Sequence, residues 1–388
     1  MTGFEYHTPT RVIFGRDAIS NLPDVMREYG NKVLFVYGCG SIKKSGLYDK
    51  VISLLEEFEV FELPGVEPNP KFDPSVVEGA RICKENGVDA ILAVGGGSVI
   101  DCAKAISGCA LYDGDLWELV SGEAETLRAL PVIDVLTLAA TGSEFDNDAV
   151  ISKTDSNDKL SYMNDFMYPA VSILDPSYTC SVSRRQTVAG TIDAINHFIE
   201  RYFCAEHSML TDGLIEAAVR TLIVKGEAAI NDPDDLDARS ELMAACMFGC
   251  NDILSVGNSD SGWPCHAIEH ALSAYFDINH GEGLAAITPR WMEKILSPGT
   301  AERFISFGKG VFGITDNGDP VMALAKKTIY KLIDLFESWG VPMYLSDLGV
   351  TDDKLEEIAE HIDEKEGIEN AWVPLSRKDV LDILVESM

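Results

Sequence analysis

The run Ala90-Ile91-Leu92-Ala93-Val94 is apolar throughout, stops at Gly95-Gly96-Gly97-Ser98, and gives way at once to a helical pattern over 99–108. A strand without a polar face has to be covered on both sides. A strand joined this tightly to a helix is one half of a βαβ unit. The neighbouring sequence repeats the plan. Residues 11–14 and 32–37 read as strands ending at Gly15 and Gly38, and 131–136 as another. Helical patterns fall between them over 48–58 and 74–86, with a short apolar run closing at Leu63. Strands alternating with helices predict a parallel sheet with helices on both faces.

After Ile173-Leu174-Asp175-Pro176 the texture changes. β-branched runs give way to amphipathic helical stretches over 189–202, 211–229, 240–253, 263–275, 322–339, 353–361 and 377–386. The residue before a proline resists helix, which makes Asp175-Pro176 a natural boundary. The expected organisation is an α/β N-terminal parallel-sheet nucleotide-binding domain, 1–178, and an all-α C-terminal domain, 179–388.

The charge balance removes two classes of partner. With 63 acidic against 31 basic residues the formal net charge is −32, a surface that repels nucleic acid and anionic membrane. No apolar run approaches the roughly 20 residues that span a bilayer. The opening Met1-Thr2-Gly3-Phe4-Glu5-Tyr6 lacks a basic segment followed by an apolar one. Nine scattered cysteines without CxxC spacing argue against a disulfide scaffold or a zinc ribbon. The expected location is cytoplasmic.

Ligand-type side chains concentrate between Gly190 and Gly283. Asp193 and His197 are four apart, as are His266 and His270, so each pair projects from one helix face. His280 stands in Asn279-His280-Gly281-Glu282-Gly283, which reads as a glycine-flanked turn. A carboxylate with two or three imidazoles suits Zn²⁺ or Fe²⁺. A lone histidine on an apolar helix face is more often a hydrogen-bonded core residue, and spacing alone leaves both readings open.

The loop Gly95-Gly96-Gly97-Ser98 has two readings as well. Three glycines let a pyrophosphate approach backbone N–H groups at a helix start; a tight βα turn needing positive φ would use the same residues. Its place between strand and helix favours phosphate. The corner after the strand at 32–37, Gly38-Cys39-Gly40-Ser41-Ile42-Lys43-Lys44, lacks the acid that receives an adenosine ribose and carries a hydroxyl and two lysines. That favours NADP over NAD, unless Lys43 and Lys44 merely begin an exposed helix.

Taken together, Gly95-Gly96-Gly97-Ser98-Val99-Ile100-Asp101-Cys102-Ala103-Lys104, Thr137-xxx-Thr141-Gly142-Ser143-Glu144, Asp193-Ala194-xx-His197-xx-Glu200 and His266-xxx-His270-x9-His280-Gly281 resemble the iron-containing alcohol dehydrogenases, nearest the NADPH-dependent butanol dehydrogenase and aldehyde reductase branch. The resemblance covers nearly the whole chain in motif order. It implies hydride transfer between NAD(P)H and an aldehyde or primary alcohol such as butanal or butanol, with Fe²⁺ or Zn²⁺ held by Asp193, His197, His266 and His280. It implies cofactor contacts from Gly38, Ser41, Gly95, Gly96, Gly97, Ser98, Asp101, Thr137, Thr141 and Lys159. His270 and Asp101 become the catalytic candidates, His270 relaying a proton to the nascent alkoxide. Trp263 is a candidate wall of the substrate pocket, and a homodimer is expected. The alternative is a metal- and NAD-dependent lyase of dehydroquinate synthase type, which needs cations near the metal helices; Arg184, Arg185 and Arg290 are the available ones.

Overall fold

The structure is a computed structural model that describes residues 1–365 and 368–388. Among the described residues eight strands run β1 (Arg11–Phe14), β2 (Lys32–Gly38), β3 (Glu59–Val66), β4 (Ala90–Gly95), β5 (Val132–Leu136), β6 (Asp148–Lys153), β7 (Asp158–Met163) and β8 (Val171–Leu174). Six of them form one parallel sheet in the order β1-β8-β5-β4-β2-β3, and β6 and β7 pair as an antiparallel hairpin. Among them lie α1 (Leu22–Arg27), α2 (Ser41–Lys44), α3 (Leu47–Leu54), α4 (Val77–Asn86), α5 (Gly97–Cys109) and α6 (Leu116–Val120).

Alternation along the central strands explains the layers. Leu34 and Val36 of β2, with Ile91 and Ala93 of β4, share a buried cluster with Ala80 and Cys83 of α4 and Ile100 and Ala103 of α5. Val33, Phe35, Leu92 and Val94 point the other way, into a cluster with Val25, Met26 and Val51 from α1 and α3. Both faces are therefore dry, as the uniformly apolar β4 requires.

Beyond residue 183 the chain is helical: α7 (Arg184–Tyr202), α8 (Met209–Asn231), α9 (Leu236–Cys246), α10 (Pro264–Phe276), α11 (His280–Ile295), α12 (Ala301–Phe312), α13 (Val321–Trp339), α14 (Leu355–Lys365) and α15 (Arg377–Glu386). Among the described residues no helix is long and apolar enough to cross a membrane. From Thr187 to Tyr202 every residue of α7 is buried. Close approach makes this possible: a Cβ on Gly281 of α11 would fall 2.1 Å from the Ala189 carbonyl oxygen, and one on Gly226 of α8 would fall 2.6 Å from a Thr191 methyl.

The chain divides into two compact units, His7–Ser183 with Pro233–Asn251, and Met1–Tyr6 with Arg184–Asp232 and Asp252–Met388. The single cut at 178/179 is thus replaced by a chain that leaves the helical unit after Asp232 and returns at Asp252. Helix α9 reads as amphipathic like its neighbours, yet its Met243 belongs to a core cluster of the parallel sheet.

Three sequence expectations change. His280 does not sit in a turn; it is the first residue of α11, capped by Asn279, whose side chain accepts from the Glu282 N–H at 3.2 Å. Gly281, Gly283 and Pro289 hide that helix from a periodicity reading. The stretch 240–253 stops being α-helical at Cys246, so Cys246 and Cys250 do not share a helix face. Helix α12 and the β6–β7 hairpin were absent from the expected elements.

Candidate metal centre and nucleotide loop

A polar side chain on a helix buried along most of its length has to find its partners inside the protein. Helix α7 carries Asp193, Asn196, His197 and Glu200 there. Asn196 is satisfied locally, donating to the Ile192 carbonyl at 2.8 Å and accepting from Thr288. Asp193 is different. Its Oδ1 lies 3.6 Å from His197 Nε2, 3.8 Å from His266 Nε2 and 3.4 Å from His280 Nε2.

Three helices deliver these groups: α7 brings Asp193 and His197, α10 brings His266, and the first residue of α11 is His280. The His197 and His266 rings stack at 4.6 Å with 15° between planes, and Trp263 meets both edge-on at 5.9 Å and 5.3 Å. Asp193 Oδ1 and His266 Nε2 are buried with no hydrogen-bond partner. Buried polar atoms without partners that converge on one point suit a cation. Donors bound at the usual ~2.1 Å in a tetrahedron stand roughly 3.4 Å apart. The donor atoms of Asp193, His266 and His280 all lie within 4.8 Å of one another, a spacing that fits a small divalent ion, while His197 meets Asp193 from outside that group.

Burial pushes the Asp193 pKa up, but the surrounding imidazoles outweigh it, His197 first, and hold it at about 2. Burial brings His197 down to about 3 despite Asp193. His266 goes the other way: burial depresses it, and the carboxylates of Glu200 and Asp193 lift it to about 9.

Behind two of the imidazoles stand carboxylates. Glu200, fully buried, accepts from His266 Nδ1 with one oxygen and from the Cys265 backbone N–H with the other, at 2.6 Å. Glu269, fully buried, accepts from His280 Nδ1 and from the Ser273 hydroxyl. Glu269, His270 and His280 form a second group of close donor atoms, overlapping the first at His280. The Asp193 group is the better cation site, because Glu269 is already engaged with His280 and Ser273. His270 stays beside it, its ring 5.4 Å from that of His280.

In the α/β unit, the residues expected at the cofactor, Lys159 apart, lie at or just beyond the ends of β2, β4 and β5, the edge at which open parallel sheets bind ligands. A Cβ on Gly97 would fall 2.6 Å from the Thr141 hydroxyl, and one on Gly96 would fall 3.2 Å from Leu138, so the loop is pressed against the segment after β5. Thr137 donates its N–H to the Gly95 carbonyl at 2.8 Å. Gly96 caps α5 with its carbonyl, which accepts from the Val99 N–H at 3.0 Å, and supplies no side-chain acceptor to the N–H groups of Gly97 and Ser98. Gly38 ends β2 and Ser41 begins α2, exposed. Lys159 is buried on β7.

Asp101 is held inside this unit. It accepts from the Ser143 hydroxyl at 2.5 Å and from the Val150 N–H at 3.2 Å, and burial raises it to about 7 despite Lys104. Both oxygens are engaged, which gives the carboxylate a holding role in the loop after β5. Cys265 is buried, and its thiol is pushed well up by burial and by Glu200. It is an inert core thiol.

The sequence reading assigned no role to Glu200 or Glu269. The signal available was weak: a glutamate one turn after His197, and another between two histidines, each on an otherwise apolar stretch.

Comparison with known proteins bears on all of this. A family model described as iron-containing alcohol dehydrogenase matches residues 9–176, and one described as the C-terminal part of the Fe-containing alcohol dehydrogenase family matches 187–388. The NADH-dependent butanol dehydrogenase A of Clostridium acetobutylicum is 44% identical over 100% of both chains. The NADPH-dependent aldehyde reductase YqhD of Escherichia coli is 33% identical over 94% of each. A crystal structure of the NADH-dependent butanol dehydrogenase A of Thermotoga maritima superposes with a TM-score of 0.95 at 37% identity, over 100% of this chain and 99% of that one.

Proposed function

Because this chain belongs to the iron-containing alcohol dehydrogenase family, and so is an oxidoreductase of aldehydes and alcohols that uses a metal and a nicotinamide cofactor, we propose that it reduces short aldehydes such as butanal with Fe²⁺ or Zn²⁺ held by Asp193, His197, His266 and His280. The observation that carries this is the convergence of three Nε2 atoms on the buried Asp193 Oδ1, at 3.4 to 3.8 Å.

When bound, the ion supplies Lewis acidity to an aldehyde oxygen and the nicotinamide supplies hydride. The chain's own work is to bind, orient and move a proton. The α5 N-terminus and the glycine loop hold the pyrophosphate, with Thr137, Thr141 and Lys159 beside it. Asp101 fixes the Thr141-Gly142-Ser143 segment through Ser143. His270, next to His280, relays a proton to the developing alkoxide. Trp263 walls the substrate against the His197 and His266 rings and excludes water. In this reading the α/β unit binds the dinucleotide and the helical unit the metal.

The cofactor is NADPH in preference to NADH. Supporting this, the corner from Gly38 to Lys44 has no acid. Glu62, on the neighbouring strand β3, is tied up by the hydroxyls of Tyr37 at 2.6 Å and Tyr48 at 3.1 Å, with the Lys43 ammonium over both rings. Relatives with either cofactor in their names exist, so direct comparison of NADPH with NADH on wild type and Lys43→Ala is required. Loss of an NADPH preference in the variant supports the corner's role; faster turnover with NADH in wild type overturns it.

Free cysteines, with Cys39 exposed, suit a reducing cytoplasm. A homodimer would cover exposed apolar groups such as Phe14 on the edge strand β1, and sedimentation velocity reads this out. The lyase alternative gains no support. Arg184 donates to the Trp339 carbonyl at 2.9 Å, Arg185 pairs with Glu282 and Arg290 lies over the Tyr344 ring, so none is spare for an acidic substrate. The deciding experiment strips the metal, restores Fe²⁺ or Zn²⁺, and follows NADPH oxidation with butanal. Metal-restored turnover supports the proposal; none with either metal, despite cofactor binding, sinks it.

A further inference from the structure

Resting on the metal-dependent reading, we propose that Glu200 and Glu269 are positioning residues that make His266 and His280 metal ligands. An imidazole can offer a lone pair from either nitrogen, and the tautomer follows the hydrogen bond that the other nitrogen makes. Here the choice is fixed from behind. Glu200 and Glu269 are carboxylates, and ionised carboxylates only accept. Each therefore demands a proton on the Nδ1 it faces, and the lone pair is left on Nε2, the atom that points to Asp193.

Both carboxylates are themselves fastened. Glu200 spends its second oxygen on the Cys265 N–H at 2.6 Å, an amide of the first turn of α10 that has no carbonyl partner within its own helix. It thus sets the start of the helix that carries His266. Glu269 holds the Ser273 hydroxyl, one turn along the same helix, while turning His280 across from α11. His197 has no such support: its Nδ1 is buried without a partner, and its ring leans on His266 and Trp263. The support is unequal, and that separates this proposal from a general need for buried polar groups.

Hydrogen bonds from Nδ1 to Glu200 and Glu269 make the His266 and His280 imidazoles stronger donors at Nε2, where Asp193 adds its carboxylate.

The test uses the full chain, loaded with Zn²⁺ or Co²⁺, in Glu200→Gln and Glu269→Gln. Glutamine keeps the volume and removes the charge, and its amide N–H groups no longer enforce a proton on Nδ1. Competition against a chelator should show each variant binding Zn²⁺ about 10- to 100-fold more weakly. The visible spectrum of the Co²⁺ form should change in each, while NADPH affinity of the α/β unit does not. Glu269→Asp should recover part of the loss. Glu200→Gln risks the α10 start as well, so Glu269→Gln, whose partners named here are side chains, is the decisive arm. Unchanged Zn²⁺ affinity and an unchanged Co²⁺ spectrum in Glu269→Gln overturn the proposal even if activity falls. Failure of the wild type to bind either ion would overturn the metal-dependent reading instead.

Discussion

Among the described residues two clusters of buried carboxylates stand out, and opposite means compensate them. In the helical unit, Asp193, Glu200 and Glu269 face imidazoles, and the other nitrogens of His266 and His280 turn toward one shared position. In the α/β unit, Asp101, Asp134, Glu144 and Asp146 are buried near the Lys104 ammonium, which meets Asp146 at 2.6 Å. There protons take the place of cations. The Ser172 hydroxyl lies 2.5 Å from Asp134 Oδ2 and 2.6 Å from the Glu144 carbonyl oxygen. One hydroxyl proton cannot serve both acceptors, so a protonated Asp134 donating to Ser172 satisfies all three oxygens. Burial pushes Asp134 well up and Glu144 to about 7, in agreement. Excess negative charge kept ionised marks a place prepared for a cation; excess charge neutralised by protons marks a framework.

The contrast can be broken most strongly at His266. His266→Ala should abolish metal-restored NADPH oxidation. It should also cost roughly 3–5 kcal/mol in urea unfolding, because Glu200 is left as an unpaired buried charge. Lys104→Met should cost a similar ~3–5 kcal/mol by stranding Asp146, yet leave Zn²⁺ affinity at the wild-type value. A drop in Zn²⁺ affinity there would mean the clusters are not independent.

A gentler probe is pH. Glu144 keeps its proton up to about 7 when folded and to its ordinary 4.5 when unfolded. Between those values the folded state binds more protons, so its contribution to stability falls as pH rises across the window. Glu144→Gln should flatten that fall by on the order of 3 kcal/mol between pH 4.5 and 7. Equal slopes in both proteins would remove the protonated framework. The smallest effect belongs to an exposed pair: Arg81 bridges Glu78 and Glu85 with half its side chain in solvent. Arg81→Ala should leave the urea-unfolding midpoint close to the wild-type value and both clusters unaffected.

Within the cluster of the helical unit the residues are not equally legible in the sequence. Asp193, His197, His266 and His280 stand out because imidazoles at helical spacing are rare in apolar sequence. Glu200 and Glu269 do not, since a glutamate on a helix looks solvated until the fold puts it behind an imidazole. Uniformly apolar strands such as β4 declared themselves, and so did the helix after the glycines. Helix α11 was hidden by Gly281, which is there for the approach to Ala189 and not for a turn. The β6–β7 hairpin escaped because polar Ser152, Asp158 and Lys159 are among its buried residues, which breaks the apolar/polar alternation that marks a strand. Strand order, with β1 beside β8, is a long-range fact that no local pattern carries.

The excursion of Pro233–Asn251 has a consequence for anyone who would treat this polypeptide as two portable modules. A fragment ending at Ser183 would lack Met243, which helps fill the interior beside the sheet, and would uncover Gly142, whose absent Cβ would sit 3.0 Å from the Cys246 carbonyl oxygen. A fragment beginning at Arg184 would carry that same stretch with nothing to receive it. Recombination between relatives, or a swap of one half for another, therefore has to exchange α9 together with the first half of the gene rather than cut once in the middle.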